Sequence, residues 1–106
     1  MKSKDLVKMV DELIEMGNNA LSTRHHNEYR SECLDSWAIK GFRAAALSFI
    51  DRVYGSHHPH FTEFEHNTKD YYPGDAEKGI AILNAIHSEI VGIFIVYDKF
   101  HLLPIP

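Results

Sequence analysis

The stretch "GFRAAALSFI", residues 41–50, decides the fold. Nearly its whole circumference is small or apolar. A helix that is apolar all round is buried on more than one side, so this segment reads as the central helix of a helical bundle, with one side available to an oligomer contact. Extended outward, Leu34, Ala38, Phe42, Ala45, Phe49 and Val53 recur at helical spacing, and Trp37, Ala44, Leu47, Ile50 and Tyr54 make a second stripe. The pattern predicts a helix over about 28–54. Gly55 ends it, because glycine tolerates the positive φ that closes a helix.

Working upstream, residues 4–22 carry Leu6, Val10, Leu13, Gly17 and Ala20 on one face and charged residues on the other, which predicts an amphipathic helix. Residues 22–28, "STRHHNE", are polar and aperiodic and read as a loop. Downstream lies "GSHHPHFTEFEH", residues 55–66, with four of the eight histidines. Ser56 is a suitable N-cap and Pro59 suits a first helical turn. Phe61 and Phe64 are three apart and face the same way. A short helix over 57–66, pinned by those two rings with its histidines mostly on the wet side, is expected. "NTKDYYPGD" (67–75) is rich in turn formers. Ala76, Ile80, Leu83, Ile86 and Ile90 then predict a helix over about 75–92. Ile93–Tyr97 are β-branched or aromatic and favour extended structure, although a further turn or two of helix also fits. The tail 93–106 is apolar and needs cover, which points to self-association.

The expected architecture is therefore all-α: a single domain over 1–106, a small helical bundle of three long helices and one short one, and a tail whose conformation the pattern leaves open. A length of 106 residues suits one core, and the hydrophobic and charged fractions, 44% and 25%, are those of an ordinary globular chain. The net charge of −4 argues against a general nucleic-acid binder, which needs a cationic surplus. Protonation of all eight histidines would carry that charge to +4. The single cysteine, Cys33, excludes an internal disulfide and reads as a small buried hydrophobe in a helix. The acidic N-terminal segment has no signal-peptide core, and the longest apolar run, "IVGIFIVY" at 90–97, falls far short of a membrane span. A location in the bacterial or host-cell cytosol is expected, with no membrane partner.

Three constellations could carry chemistry. The spacing of His60, Glu63 and His66 is the Glu-x-x-His type of helical di-metal sites, but no second copy exists, so no metal or other cofactor is expected. Arg52 and His57 have the spacing of a helical nuclease motif, though Gly55 interrupts it; no nucleophile elbow or phosphate loop is present. Arg24, His26, Tyr29, Arg30, Trp37, Lys40 and Arg43 form the third group. Guanidinium groups grip phosphate bidentately and aromatic faces stack on bases, so these residues are the candidate site for a small anionic ligand of nucleotide type.

In "WAIKGFRAAALSFIDRVYGSHHPHFTEF" (37–64) and "GDAEKGIAILNAIHSEIVG" (74–92), the chain resembles an N-terminal helical domain of uncharacterised bacterial proteins, where a second helical domain follows. The likeness lies in the tryptophan of the central helix, the "YGS…HF…F" turn and "KGIAIL". It covers most of the chain up to Gly92, and the family carries no established activity, so it assigns no catalytic residue. After Gly92 this chain departs from the pattern. The resemblance implies a stand-alone, phage-encoded version of a defence-associated domain, acting as a nucleotide sponge or as a decoy for a partner. The expected function is thus a non-enzymatic, self-associating binding protein that sequesters an anionic, nucleotide-type ligand. The alternatives are a protein–protein adaptor without a small ligand, and a metal-dependent or nuclease-like enzyme using residues 52–66.

Overall fold

In a computed structural model, residues 3–100 are described, with side chains for residues 4–93. The chain is mostly helical. Its elements run α1 (Ser3–Leu21), β1 (His25–His26), β2 (Glu32–Cys33), α2 (Ser36–Tyr54), α3 (Pro59–Asn67) and α4 (Pro73–Phe100). The two strands form one small antiparallel hairpin, with His25 opposite Cys33 and His26 opposite Glu32.

Phe42, from the stretch that decides the fold, is fully buried at the centre of the bundle. Its ring meets Phe64 of α3 edge-on, at 5.6 Å between centroids and 64° between planes, a geometry favoured by the ring quadrupoles. Glycines admit the ring from both sides. A Cβ at Gly17 of α1 would lie 2.9 Å from it, and one at Gly79 of α4 would lie 3.0 Å from it. Leu34, Ile50, Leu83, Ile86 and Val10 complete the core around this point. α1 packs along α4 and also against α2, while α3 bridges α2 and α4. Gly17 lies beside Ile80, and Asp11 Oδ1 is 3.1 Å from His87 Nε2, so α1 and α4 run antiparallel.

Several boundaries differ from the sequence reading. The second helix does not begin near 28 but at Ser36, because Asn27 organises the preceding residues into a turn. Its side-chain oxygen accepts from the amides of Tyr29 and Ser31 at 2.9 and 3.0 Å, and its own amide donates to Ser31 O at 2.9 Å. Such side-chain bonds offer the backbone an alternative to helix. Arg30 adopts a φ of 62° to complete the turn. Cys33 is buried as expected, but on a strand and not on a helix. The short helix starts at Pro59, with His58 as its cap in place of Ser56: His58 Nδ1 accepts from His60 N at 3.0 Å. Gly55 closes α2 with a φ of 91° and donates to Asp51 O at 2.9 Å. Helix α4 runs through the β-branched segment 93–97 to Phe100, where extended structure was favoured. Intrinsic strand preference is weak against continuation of a helix already nucleated and packed. Residues 101–106 of the apolar tail lie outside the described residues.

Candidate functional site

The seven candidate anion-binding residues do not converge on one point. Arg24 follows α1 and is held by its neighbours: its guanidinium lies 3.7 Å from Glu32 and 4.0 Å from Glu77. His26 is exposed on β1, and Tyr29 and Arg30 occupy the tip of the hairpin, with Tyr29 80% exposed. Trp37, in the first turn of α2, is 74% exposed. It belongs to the outer face of the helix, although its spacing assigns it to the second apolar stripe.

Lys40 and Arg43 do border the same cleft. Both line a small cleft between the N-terminal half of α2 and the loop that joins α3 to α4, together with Ser36, Lys69, Asp70 and Tyr71. One bond ties the loop to the start of α2, and a second holds the loop itself. Leu34 N donates to Tyr71 O at 2.6 Å, and Asp70 N donates to Asp75 Oδ2 at 2.8 Å. Arg43 crosses to α3, where Nη2 donates to Glu65 O at 3.1 Å. Its Nε is buried and has no hydrogen-bond partner among the described residues. A buried donor left unpaired costs about 1–3 kcal/mol, so such an atom calls for an explanation. Lys69 and Tyr71 were not singled out from sequence. They stand in a turn-rich loop, and only the fold carries that loop to the side of α2.

The histidine-rich stretch makes a different arrangement. Tyr54 OH, at the end of α2, donates to Glu89 Oε2 of α4 at 2.6 Å, and His60 Nε2 lies 2.9 Å from Glu89 Oε1. The rings of Tyr54, His58 and His60 pack mutually, with centroids 4.5–5.1 Å apart. Burial, and then the bond to Glu89, push the Tyr54 hydroxyl well above its ordinary pKa. Glu89 is held below the usual carboxylate range, chiefly by the hydrogen bond from Tyr54, with His60 adding to it against the opposing effect of burial. Both oxygens of Glu89 are engaged, so the group clamps the α2–α3 turn onto α4. Glu63 and His66 lie exposed on α3. No group of three or more His, Cys, Asp or Glu among the described residues is arranged to hold a metal ion.

A third cluster lies at the base of the hairpin. Cys33 Sγ is 3.3 Å from His25 Nε2, and His25 Nδ1 is 3.0 Å from Thr23 O and 3.6 Å from Asp35 Oδ1. Thr23 ties the two ends of the hairpin together, donating to Ala20 O at 2.6 Å and accepting from Asp35 N at 2.9 Å. Spacing alone does not reveal this cluster, since His25 and Cys33 meet only through the hairpin register.

Fold and site together define a small helical bundle with a hairpin between its first two helices and a cationic cleft beside the second. No family model, curated protein or solved structure matches the chain. No helix among the described residues is long and apolar enough to cross a membrane.

Proposed function

We propose that the chain is a non-enzymatic, self-associating binding protein that sequesters a small anionic ligand of nucleotide type, whose phosphate sits at the mouth of the cleft beside α2; the cleft itself, about 40 Å³, leaves the rest of the ligand on the surface. One observation carries this reading: Lys40, Arg43 and Lys69 border a single cleft. Asp70 offsets one of the three charges, so the cleft keeps a cationic surplus. A phosphate oxygen accepts charge-assisted bonds from guanidinium and ammonium groups, the Ser36 hydroxyl adds a further donor, and the half-exposed Tyr71 ring offers a face to a base. The resemblance to a defence-associated domain agrees with a sponge for a nucleotide signal. Exposed Trp37 and Ile93 support the self-association.

Calorimetric titration of the full chain with a nucleoside monophosphate, and separately with inorganic phosphate, tests the ligand. The nucleotide is expected to bind more tightly than phosphate, with an affinity that weakens as salt screens the cleft. Replacing both exposed lysines (Lys40→Ala with Lys69→Ala) is expected to lower affinity at least about tenfold with the fold intact, since each charge-assisted bond contributes roughly 1.5–3 kcal/mol. No binding of either probe at millimolar concentration would sink the ligand reading.

A further inference from the structure

We infer that α2 is also a self-recognition face, on which two copies of the chain pack antiparallel and each inserts Trp37 into a groove of the other. The inference rests on the self-association proposed above and names its surface.

Trp37, Gly41, Ala44, Ser48 and Arg52 are spaced so that they fall within one narrow sector of α2, and all five are exposed. Trp37 keeps 74% of its surface exposed on a rigid helix, and tryptophan is a residue type that interfaces use as an anchor. Next to this sector a groove runs between α1 and α2. Met9, Leu13, Met16, Ala45 and Phe49 line its apolar walls, with Arg52 at one end. Met16 stays 38% exposed there. Knob and hole therefore lie on one face of the same helix, at opposite ends.

That arrangement selects the occupant. A twofold axis between positions 44 and 45 sets Ala44 against Ala45, Gly41 against Ser48, and Trp37 against Arg52. The small residues let the helix backbones approach. Each indole reaches the Met9–Phe49 end of the partner's groove, where thioether and aromatic contacts suit it. Arg52 makes no ion pair or side-chain hydrogen bond among the described residues, and in this register its guanidinium covers the indole face, a cation–π pairing. Glu12 on the groove rim is likewise unpaired among them and adds a carboxylate that steers the partner's cationic side chains. The interface is isologous: each copy supplies both the anchor and the pocket. Lys40 and Arg43 lie on another side of α2, so the anion cleft stays open in the pair.

Sedimentation velocity of the full chain over a concentration series tests this, with Trp37→Ala as the first variant. Trp37 is exposed, so its removal does not threaten the fold. The wild type is expected to be a dimer, and Trp37→Ala is expected to weaken dimerisation by roughly 30-fold or more, as for a tryptophan anchor at an interface centre. Arg52→Glu should weaken it as well. Ala44→Cys is expected to give a covalent dimer under mild oxidation, with the wild type, whose single thiol is buried, as the control. A monomeric wild type would overturn self-association altogether. A dimer untouched by Trp37→Ala, with no cross-link through position 44, would overturn this interface alone.

Discussion

A Cβ at Gly17 would stand 2.7 Å from Ile80 Cγ1 and 2.9 Å from Phe42 Cε1, closer than real side chains approach. Alanine is normally favoured over glycine inside a helix. Here the neighbours decide the sign, because Phe42 is fully buried and has nowhere to move. Gly17→Ala is expected to destabilise by about 1–3 kcal/mol, the usual cost of overpacking. Gly92→Ala meets nothing within 4 Å on α4 and is expected to stabilise by about 0.5–1 kcal/mol. Urea midpoints of the two variants should move in opposite directions. The sequence placed Gly17 on the core face of its helix from periodicity alone. That the position demands glycine was not legible, since the demand comes from Ile80 and Phe42 on two other helices. Trp37 shows the converse. A large apolar residue at helical spacing reads as core, yet it lies in the first turn of α2, where the bundle offers it no cover.

At the scale of elements, α3 is too short to be stable alone and is held by what it touches. Phe64 is buried in the core, His58 caps the first turn, and His60 with Tyr54 grips Glu89. The clamp gives stability a pH dependence whose sign follows from Glu89. Its carboxyl titrates lower in the folded chain than in the unfolded one. Its contribution is therefore fully present above the ordinary glutamate value, about 4.3, and is lost as the pH falls through the lower folded value. Glu89→Gln is expected to flatten that part of the acid limb in denaturant melts taken between about pH 5 and pH 3. Tyr54→Phe removes the shorter of the two hydrogen bonds and should cost about 0.5–1.5 kcal/mol at neutral pH, toward the lower end because Glu89 is half exposed. That the chain is mostly helical was legible from apolar spacing. Boundaries were less so. From sequence Asn27 is one more polar loop residue, but its side chain builds a turn and moves the start of α2 to Ser36. The anchoring role of Glu89 was hidden because its two partners are contributed by segments 29 and 35 residues earlier.

At the scale of the molecule, the core is a single cluster centred on Phe42, with every helix contributing. Truncation there is expected to be severe: Phe42→Ala should cost about 3–5 kcal/mol, against a total of about 5–15 kcal/mol for a typical domain. Chemical denaturation followed by circular dichroism measures it, and a loss under about 1 kcal/mol would show that the core is not organised around this ring. Segments apolar on one face and segments apolar all round already implied a layered helical bundle. Which helices neighbour one another was not implied, and the cationic cleft depends on that pairing, because Lys69 and Tyr71 reach α2 only through it.

The antiparallel seating of α1 on α4 also bears on how the chain is made. Gly17 and Ile80, in contact in the finished protein, are separated by 63 positions in the chain. At about 5–20 residues per second, the ribosome adds the second roughly 3–13 s after the first. Throughout that interval the apolar face of α1 has no α4 to rest on. Nascent chains of this protein should therefore engage a holding chaperone early in translation and release it once α4 has emerged.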